Sequence, residues 1–197
     1  MKNEEVRIKN FLRPAQECRL DRFSFFILNS SFFISLLTFA LLLSVATSAR
    51  AEVLRLDIND TIHPITLEYI TRGIEAARAQ HADAILIRLS TPGGLAESTR
   101  EIIQQIVASP VPVIIYVAPS GARAASAGFF ILEAADVAAM APGANTGAAH
   151  PVMIGGGQPD KIMAEKIEND SAALMRSVVA KRGRNVEVAE SAVRQSK

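Results

Sequence analysis

Cysteine is almost missing from this chain. Cys18 is the only one, so everything from Glu52 onward is without a thiol. That excludes disulfides, thiol nucleophiles and cysteine-ligated zinc from three quarters of the sequence, and any covalent catalysis there must use another nucleophile. Charge of one sign is missing as well. Lys+Arg 21 against Asp+Glu 20 leaves a formal charge of +1, so there is no basic field to draw a nucleic acid. Histidine is scarce: His63, His81 and His150 are the only imidazoles. Between Phe23 and Ala49 charge is absent altogether.

That uncharged stretch follows a polar segment, Met1 to Arg22, and its densest apolar part is Phe32 to Ala46. Ser48-Ala49-Arg50-Ala51 then supplies the small-x-small pattern that signal peptidase accepts. Residues 1–51 read as a secretory signal with a long polar lead, cleaved after Ala51. The alternative is an uncleaved anchor in the cytoplasmic membrane, since about 20 apolar residues span a bilayer. Both readings export residues 52–197 as an extracytoplasmic (periplasmic) domain.

The exported part alternates strand and helix patterns. Val53 to Ile58 alternates as a strand, and Ile65 to Gln80 carries Leu67, Ile70, Ile74 and Ala77 at helical spacing. Ala84 to Leu89 is a second strand, Ala96 to Ala108 a second helix, and Val111 to Val117 a third, buried strand. The run Ala122 to Gly128 reads as a turn of tiny residues, followed by a helix from Phe129 to Ala135. Val137 to Met140 is a short strand and Ala141 to Pro151 a loop, with another loop from Met153 to Pro159 around Gly155-Gly156-Gly157. Lys161 to Arg182 is the longest helix, its apolar stripe being Met163, Ile167, Leu174 and Val178, stopped by Gly183. A last helix starts at Val186. This order predicts an α/β fold whose parallel sheet is built from right-handed βαβ units.

Two strand ends carry unusual chemistry. Thr91-Pro92-Gly93-Gly94 ends the second strand, and Ser126 lies past the end of the third among residues too small to block an approaching chain. Sites in open α/β folds form at such carboxyl ends. The N–H groups of Gly93, Gly94 and Ala127 are placed to form an oxyanion hole beside Ser126 Oγ. Taken singly, each feature has a plainer explanation: Ser126 as a helix N-cap, and Pro-Gly-Gly as an ordinary turn. Two such turns on adjacent parallel strands are a more specific signal. A nucleophilic serine needs a base. His150, in the loop Gly147 to Pro151, and Lys166, at the edge of the long helix's stripe, are both candidates; spacing does not choose between them. Lys166 also fits an ordinary solvated helix lysine, and His63 and His81 flank the first helix as surface residues.

The runs TPGG, VPVIIYVAPSGARAASAGFFIL, MAPGANTGAAHPV and KIEND…KRGRN resemble those of the NfeD-like membrane-bound serine proteases. These are ClpP-class enzymes of the ClpP/crotonase superfamily, and the resemblance covers the chain from about Val53 onward. It implies a ClpP/crotonase-like fold of the ββα spiral type. It also implies Ser126 as nucleophile, Lys166 as base, and Gly93, Gly94 and Ala127 as oxyanion donors. Ser90 stands where the archaeal pattern has an acidic residue before TPGG. His150 occupies a position like that of the triad histidine of soluble ClpP, which keeps it as the alternative base. The implied activity is a serine endopeptidase that cleaves hydrophobic segments of membrane proteins with a Ser-Lys dyad. Ala122, Ala124, Ala125 and Phe129 are the lining expected for such a segment. A stomatin-like membrane protein is the implied partner and a homo-oligomer the implied state. No cofactor and no metal are called for. The family's protease domain extends further, so 52–197 reads as C-terminally incomplete. Two alternatives share the fold: a crotonase-like acyl-CoA enzyme, against which export argues, and a non-catalytic membrane scaffold.

Overall fold

A computed structural model describes residues 33–39, 51–152 and 160–196. They fall in two compact units, Met1–Arg50 and Ala51–Lys197. In the first, residues 33–39 form exposed helix, with Thr38 Oγ1 donating back to the carbonyl of Ile34 at 3.0 Å. The rest of the expected signal or anchor, including all but the last residue of the cleavage pattern, lies outside the described residues, as does the Met153 to Pro159 loop. No helix among the described residues is long and apolar enough to cross a membrane.

The second unit is built on four parallel strands in the order β1 (Val53–Asn59), β2 (Ala84–Ser90), β3 (Val113–Val117), β5 (Val137–Met140). Leu56 pairs with Ile87, Ile87 with Ile115, and Ile115 with Ala138, so aliphatic side chains line up in rows across the sheet. Their inward-pointing members, among them Ile85, Ile87, Leu89, Val113, Ile115 and Val117, are buried. Each strand steps one place along the sheet, and right-handed crossovers then bring the connecting helices to a single face. Those helices are α1 (Pro64–Ala79), α2 (Ala96–Ala108) and α3 (Ala127–Ala134). The opposite face carries Arg55, Asp57 and Arg88, joined in surface ion pairs.

The strand and helix assignments from the sequence hold to within two residues at nearly every end. The exceptions concern the site. Arg123–Ala125, expected as turn, is strand β4, and Asn145–Gly147, expected as loop, is strand β6; the two pair in parallel. Strands of only three residues, Arg-Ala-Ala and Asn-Thr-Gly, are too short for an alternation to be read. Their backbone pairing identifies them, and β4 also bridges to Thr91 at the end of β2.

Helix α3 is apolar nearly all round, with seven of its eight residues buried, as befits a core helix. The long helix α4 (Lys161–Lys181) is capped by Asp160, whose carboxylate accepts from Met163 N–H at 2.8 Å. It turns at Gly183 (φ +65°) into α5 (Val186–Arg194). Met163, expected on the apolar stripe of α4, is 47 % exposed, because α4 buries only residues from Ala172 onward.

Candidate active site

Thr91 lies buried at the end of β2, and its backbone is held by β4: its N–H donates to Arg123 O at 2.7 Å, and its carbonyl accepts from Ala125 N–H at 3.2 Å. These bonds fix the TPGG turn against the strand that leads into Ser126. On its other side the turn is stitched to Ile62, which donates to Gly93 O at 2.9 Å and accepts from Leu95 N–H at 2.8 Å. Both glycines are required there. Gly93 has φ +117°, which side chains rarely adopt, and a Cβ on Gly94 would lie 2.0 Å from the carbonyl oxygen of Ile62.

Of the three N–H groups expected from the sequence as oxyanion donors, that of Gly93 is already engaged. Gly93 N–H donates to Thr91 Oγ1 at 3.1 Å, so a threonine hydroxyl within the same turn has taken it. The N–H groups of Gly94 and Ala127 have no acceptor among the described residues. Ala127 opens α3, where the helix leaves its first amides unpaired and its dipole favours negative charge.

Ser126 links β4 to α3 with φ +52° and ψ −115°, a conformation costing a non-glycine residue about 1–3 kcal/mol unless its surroundings impose it. Here they do. Ser126 N–H donates to Gly147 O of β6 at 3.0 Å, and its carbonyl accepts from Phe129 N–H at 3.0 Å. Although it occupies the N-cap position, its hydroxyl makes no capping hydrogen bond. The N-cap explanation therefore does not account for the side chain. Such a strand–turn–helix corner presents a hydroxyl outward at the carboxyl end of a sheet.

Ser126 opens into a groove of about 670 Å³ between the start of α2, the start of α3 and the inward side of α4. Gly94, Ala127 and Lys166 line the same groove. Its apolar wall comes from Leu95, Phe130, Val152, Ile167 and Leu174. The lining expected from the sequence is different: Ala122, Ala124 and Phe129 are buried in the core, and Ala125 is half-buried and does not line the groove. The tiny residues serve close packing behind the serine. A Cβ on Gly128 would come within 2.5 Å of Thr91 Cγ2, so α3 rests directly on the TPGG turn.

His150 does not join this groove. Its Nδ1 lies 3.1 Å from Val193 O, and the neighbouring Ala149 N–H donates to Ala192 O at 3.0 Å, so this loop is tied to α5. His63 caps α1, accepting Ile65 N–H on Nδ1 at 3.2 Å, and sits 3.5 Å from Asp60. The hydrogen bond from Thr61 N–H, with a smaller contribution from His63, holds the Asp60 carboxyl below its ordinary range. His81 is exposed at a positive-φ corner. A second cleft, of about 450 Å³, is lined by Asp57, Asn59, Arg88 and Ser120 and contains neither Ser126 nor Lys166.

Sequence reading placed Thr91 and Gly128 in their motifs without assigning their contacts, and it missed Arg100 and Asp170. A threonine just before Pro-Gly-Gly is a detectable signal for a side chain folding onto its own turn. Arg100 and Asp170 meet only through the fold: Arg100 Nη2 donates to Asp170 Oδ2 at 2.5 Å across the groove.

This is the ClpP-like α/β fold. The chain belongs to the family described as NfeD1b, N-terminal domain, whose model matches residues 52–197. It is 42% identical over 135 residues to the membrane-bound protease PH1510 of Pyrococcus horikoshii, covering 68% of this chain and 30% of that protein. It is 36% identical over 111 residues to the membrane protein NfeD1b of Bacillus subtilis, covering 55% of this chain and 25% of that one. The chain thus spans less than a third of the length of these curated relatives. Among solved structures, it superimposes with a TM-score of 0.70 on a lysine-to-alanine mutant of the 1510-N membrane-bound stomatin-specific protease in complex with a substrate peptide. That pair shares 35% identity over 76% of this chain and 68% of the other. ClpP1 of Listeria monocytogenes, at 19% identity and a TM-score of 0.54 over 68% of this chain and 75% of the other, shares the fold alone.

Proposed function

We propose that residues 52–197 form the protease domain of an exported, membrane-associated serine endopeptidase that cleaves hydrophobic peptide segments with Ser126 and Lys166. One observation carries the reading. Ser126, with a hydroxyl that makes no capping bond in an imposed corner, shares a groove with a lysine and two backbone N–H groups that have no acceptor among the described residues. In this reading Ser126 Oγ attacks the scissile carbonyl carbon while its proton passes to Lys166 Nζ. The carbonyl oxygen, now negative, is held by Gly94 and Ala127 N–H. As the C–N bond breaks, Lys166 returns the proton to the leaving amine, and water then hydrolyses the acyl-Ser126 ester by the same base. Gly93 does not donate in this scheme; it sets the turn that aims Gly94.

The apolar wall fits an extended hydrophobic segment. A homologous protease whose name specifies stomatin supports a stomatin-like membrane protein as substrate, and the ClpP-like fold supports a homo-oligomer. The test is cleavage of a quenched fluorogenic peptide with an apolar core by wild type, Ser126→Ala, Lys166→Ala and His150→Ala. Loss in the first two variants, by about 100-fold or more, with activity retained in the third is expected. Wild-type cleavage by Ser126→Ala ends the protease reading. A dead His150→Ala beside an active Lys166→Ala transfers the base role to histidine.

A further inference from the structure

We infer that Arg100 is a positioning residue for Lys166, acting by keeping the Asp170 carboxylate occupied; this rests on the Ser126–Lys166 reading above. Asp170 follows Lys166 by one helical turn, the spacing at which a lysine and a carboxylate on one helix pair. Both line the groove. An amine held by a carboxylate behind it on its own helix is drawn away from Ser126 and kept as an ammonium, which cannot accept a proton.

The fold gives that carboxylate to another cation. Arg100, from α2, donates Nη2 to Asp170 Oδ2 at 2.5 Å, and among the described residues Lys166 has no ion-pair partner. A guanidinium stays charged at every relevant pH and matches carboxylate geometry, so it competes well against a flexible lysine. Packing does not settle the matter, since α4 has no fully buried residue before Ala172. Of the other acids on this half of α4, Glu168 is held by Arg194 of α5 at 2.9 Å, and Glu165 lies outside the groove lining. Arg100, Lys166 and Asp170 are the ionisable residues in that lining.

A simple tether and a decoy for the carboxylate make opposite predictions. If Arg100 merely ties α2 to α4, removing Asp170 as well repairs nothing. If Arg100 keeps Asp170 from capturing Lys166, removing the carboxylate restores the lysine. The experiment measures peptide turnover by the full chain for Arg100→Gln, for Arg100→Gln with Asp170→Asn, and for Arg100→Lys. Arg100→Gln is expected to lower kcat about 10-fold with a smaller change in KM, and Arg100→Lys to lose less. Adding Asp170→Asn is expected to recover about five-fold or more of that loss. A double variant no better than Arg100→Gln, or Arg100→Gln within about two-fold of wild type, overturns the inference. Should Arg100→Gln not fold by circular dichroism, Arg100→Met, which keeps the apolar stem, takes its place in both arms. Lys166→Ala in the same assay separates the two failures. If it turns over like wild type, the dyad itself is wrong; if it is dead and the double variant still shows no recovery, only the role of Arg100 falls.

Discussion

Gly93 and Ser126 touch: a Cβ on Gly93 would lie 2.8 Å from Ser126 Cβ and 3.3 Å from Ser126 Oγ. The turn at the end of β2 and the corner leading into α3 are therefore one packed unit, and the hydroxyl is steered by a residue that makes no bond to it. Gly93→Ala adds both a clash and a side chain at φ +117°. It is expected to cost about 1–3 kcal/mol of stability and to abolish labelling of Ser126 by a serine-directed phosphonate. Thermal melting and intact-mass labelling check the two effects separately. Labelling at the wild-type rate refutes the steering role.

Gly128 and Thr91 form the second such contact, at 2.5 Å between a hypothetical Cβ and Thr91 Cγ2. Gly128→Ala is expected to destabilise by about 2 kcal/mol through overpacking. Thr91→Ser deletes the offending methyl and keeps the hydroxyl that binds Gly93 N–H. The pair of changes is expected to recover most of the loss, measured as urea midpoints in a double-mutant cycle. Simple additivity of the two losses contradicts this contact.

Arg184 caps the other end of α3. Its guanidinium donates to the carbonyls of Leu132 at 3.3 Å, Ala135 at 3.0 Å and Glu133, while Arg182 binds Ala134 O at 2.7 Å and pairs with Asp136. Arg184→Ala leaves half-buried carbonyls without a charged donor, an expected loss of about 1.5–3 kcal/mol. Because α3 begins at Ser126, phosphonate labelling should slow in parallel. An unchanged melting temperature refutes the cap.

Glu133 gives a pH dependence. Burial raises its carboxyl pKa above the ordinary 4.5, and nearby Arg184 only partly opposes this. A raised folded-state pKa means its contribution to stability is complete below about pH 4.5 and declines as pH rises through the folded value. At neutral pH the ionised group is therefore a cost, and Glu133→Gln is expected to melt about one to two degrees higher than wild type. That difference should vanish on acidification below the ordinary value. A lower melting point for the variant at pH 7 means that attraction to Arg184 outweighs burial.

The strands and helices were legible in the sequence because apolar spacing records them directly. Val113–Val117 and Ala96–Ala108 have the hydrophobic pattern their environments require. Ser126 and TPGG were legible as a pair, since small and special residues gather where backbones come close. The strands β4 and β6 were not, because strands of three residues, Arg-Ala-Ala and Asn-Thr-Gly, are too short to carry a period. The groove lining was misassigned for a related reason. Small size marks Ala122 and Ala124 as closely packed but does not show on which side of the serine that packing lies.

The sequence alone determined the parallel α/β architecture, the exclusion of thiol chemistry, and the residues from which a serine site could be built. Those properties follow from composition and from periods shorter than a helix. Only the tertiary structure decided how the candidates are arranged. It committed Gly93 N–H to Thr91 and gave Gly94 N–H no acceptor among the described residues. It tied His150 to α5, brought Lys166 to the groove of Ser126, and paired Asp170 with an arginine 70 residues away. Hydrogen bonds and ion pairs between distant segments depend on distances that the fold creates, and spacing along the chain does not encode them.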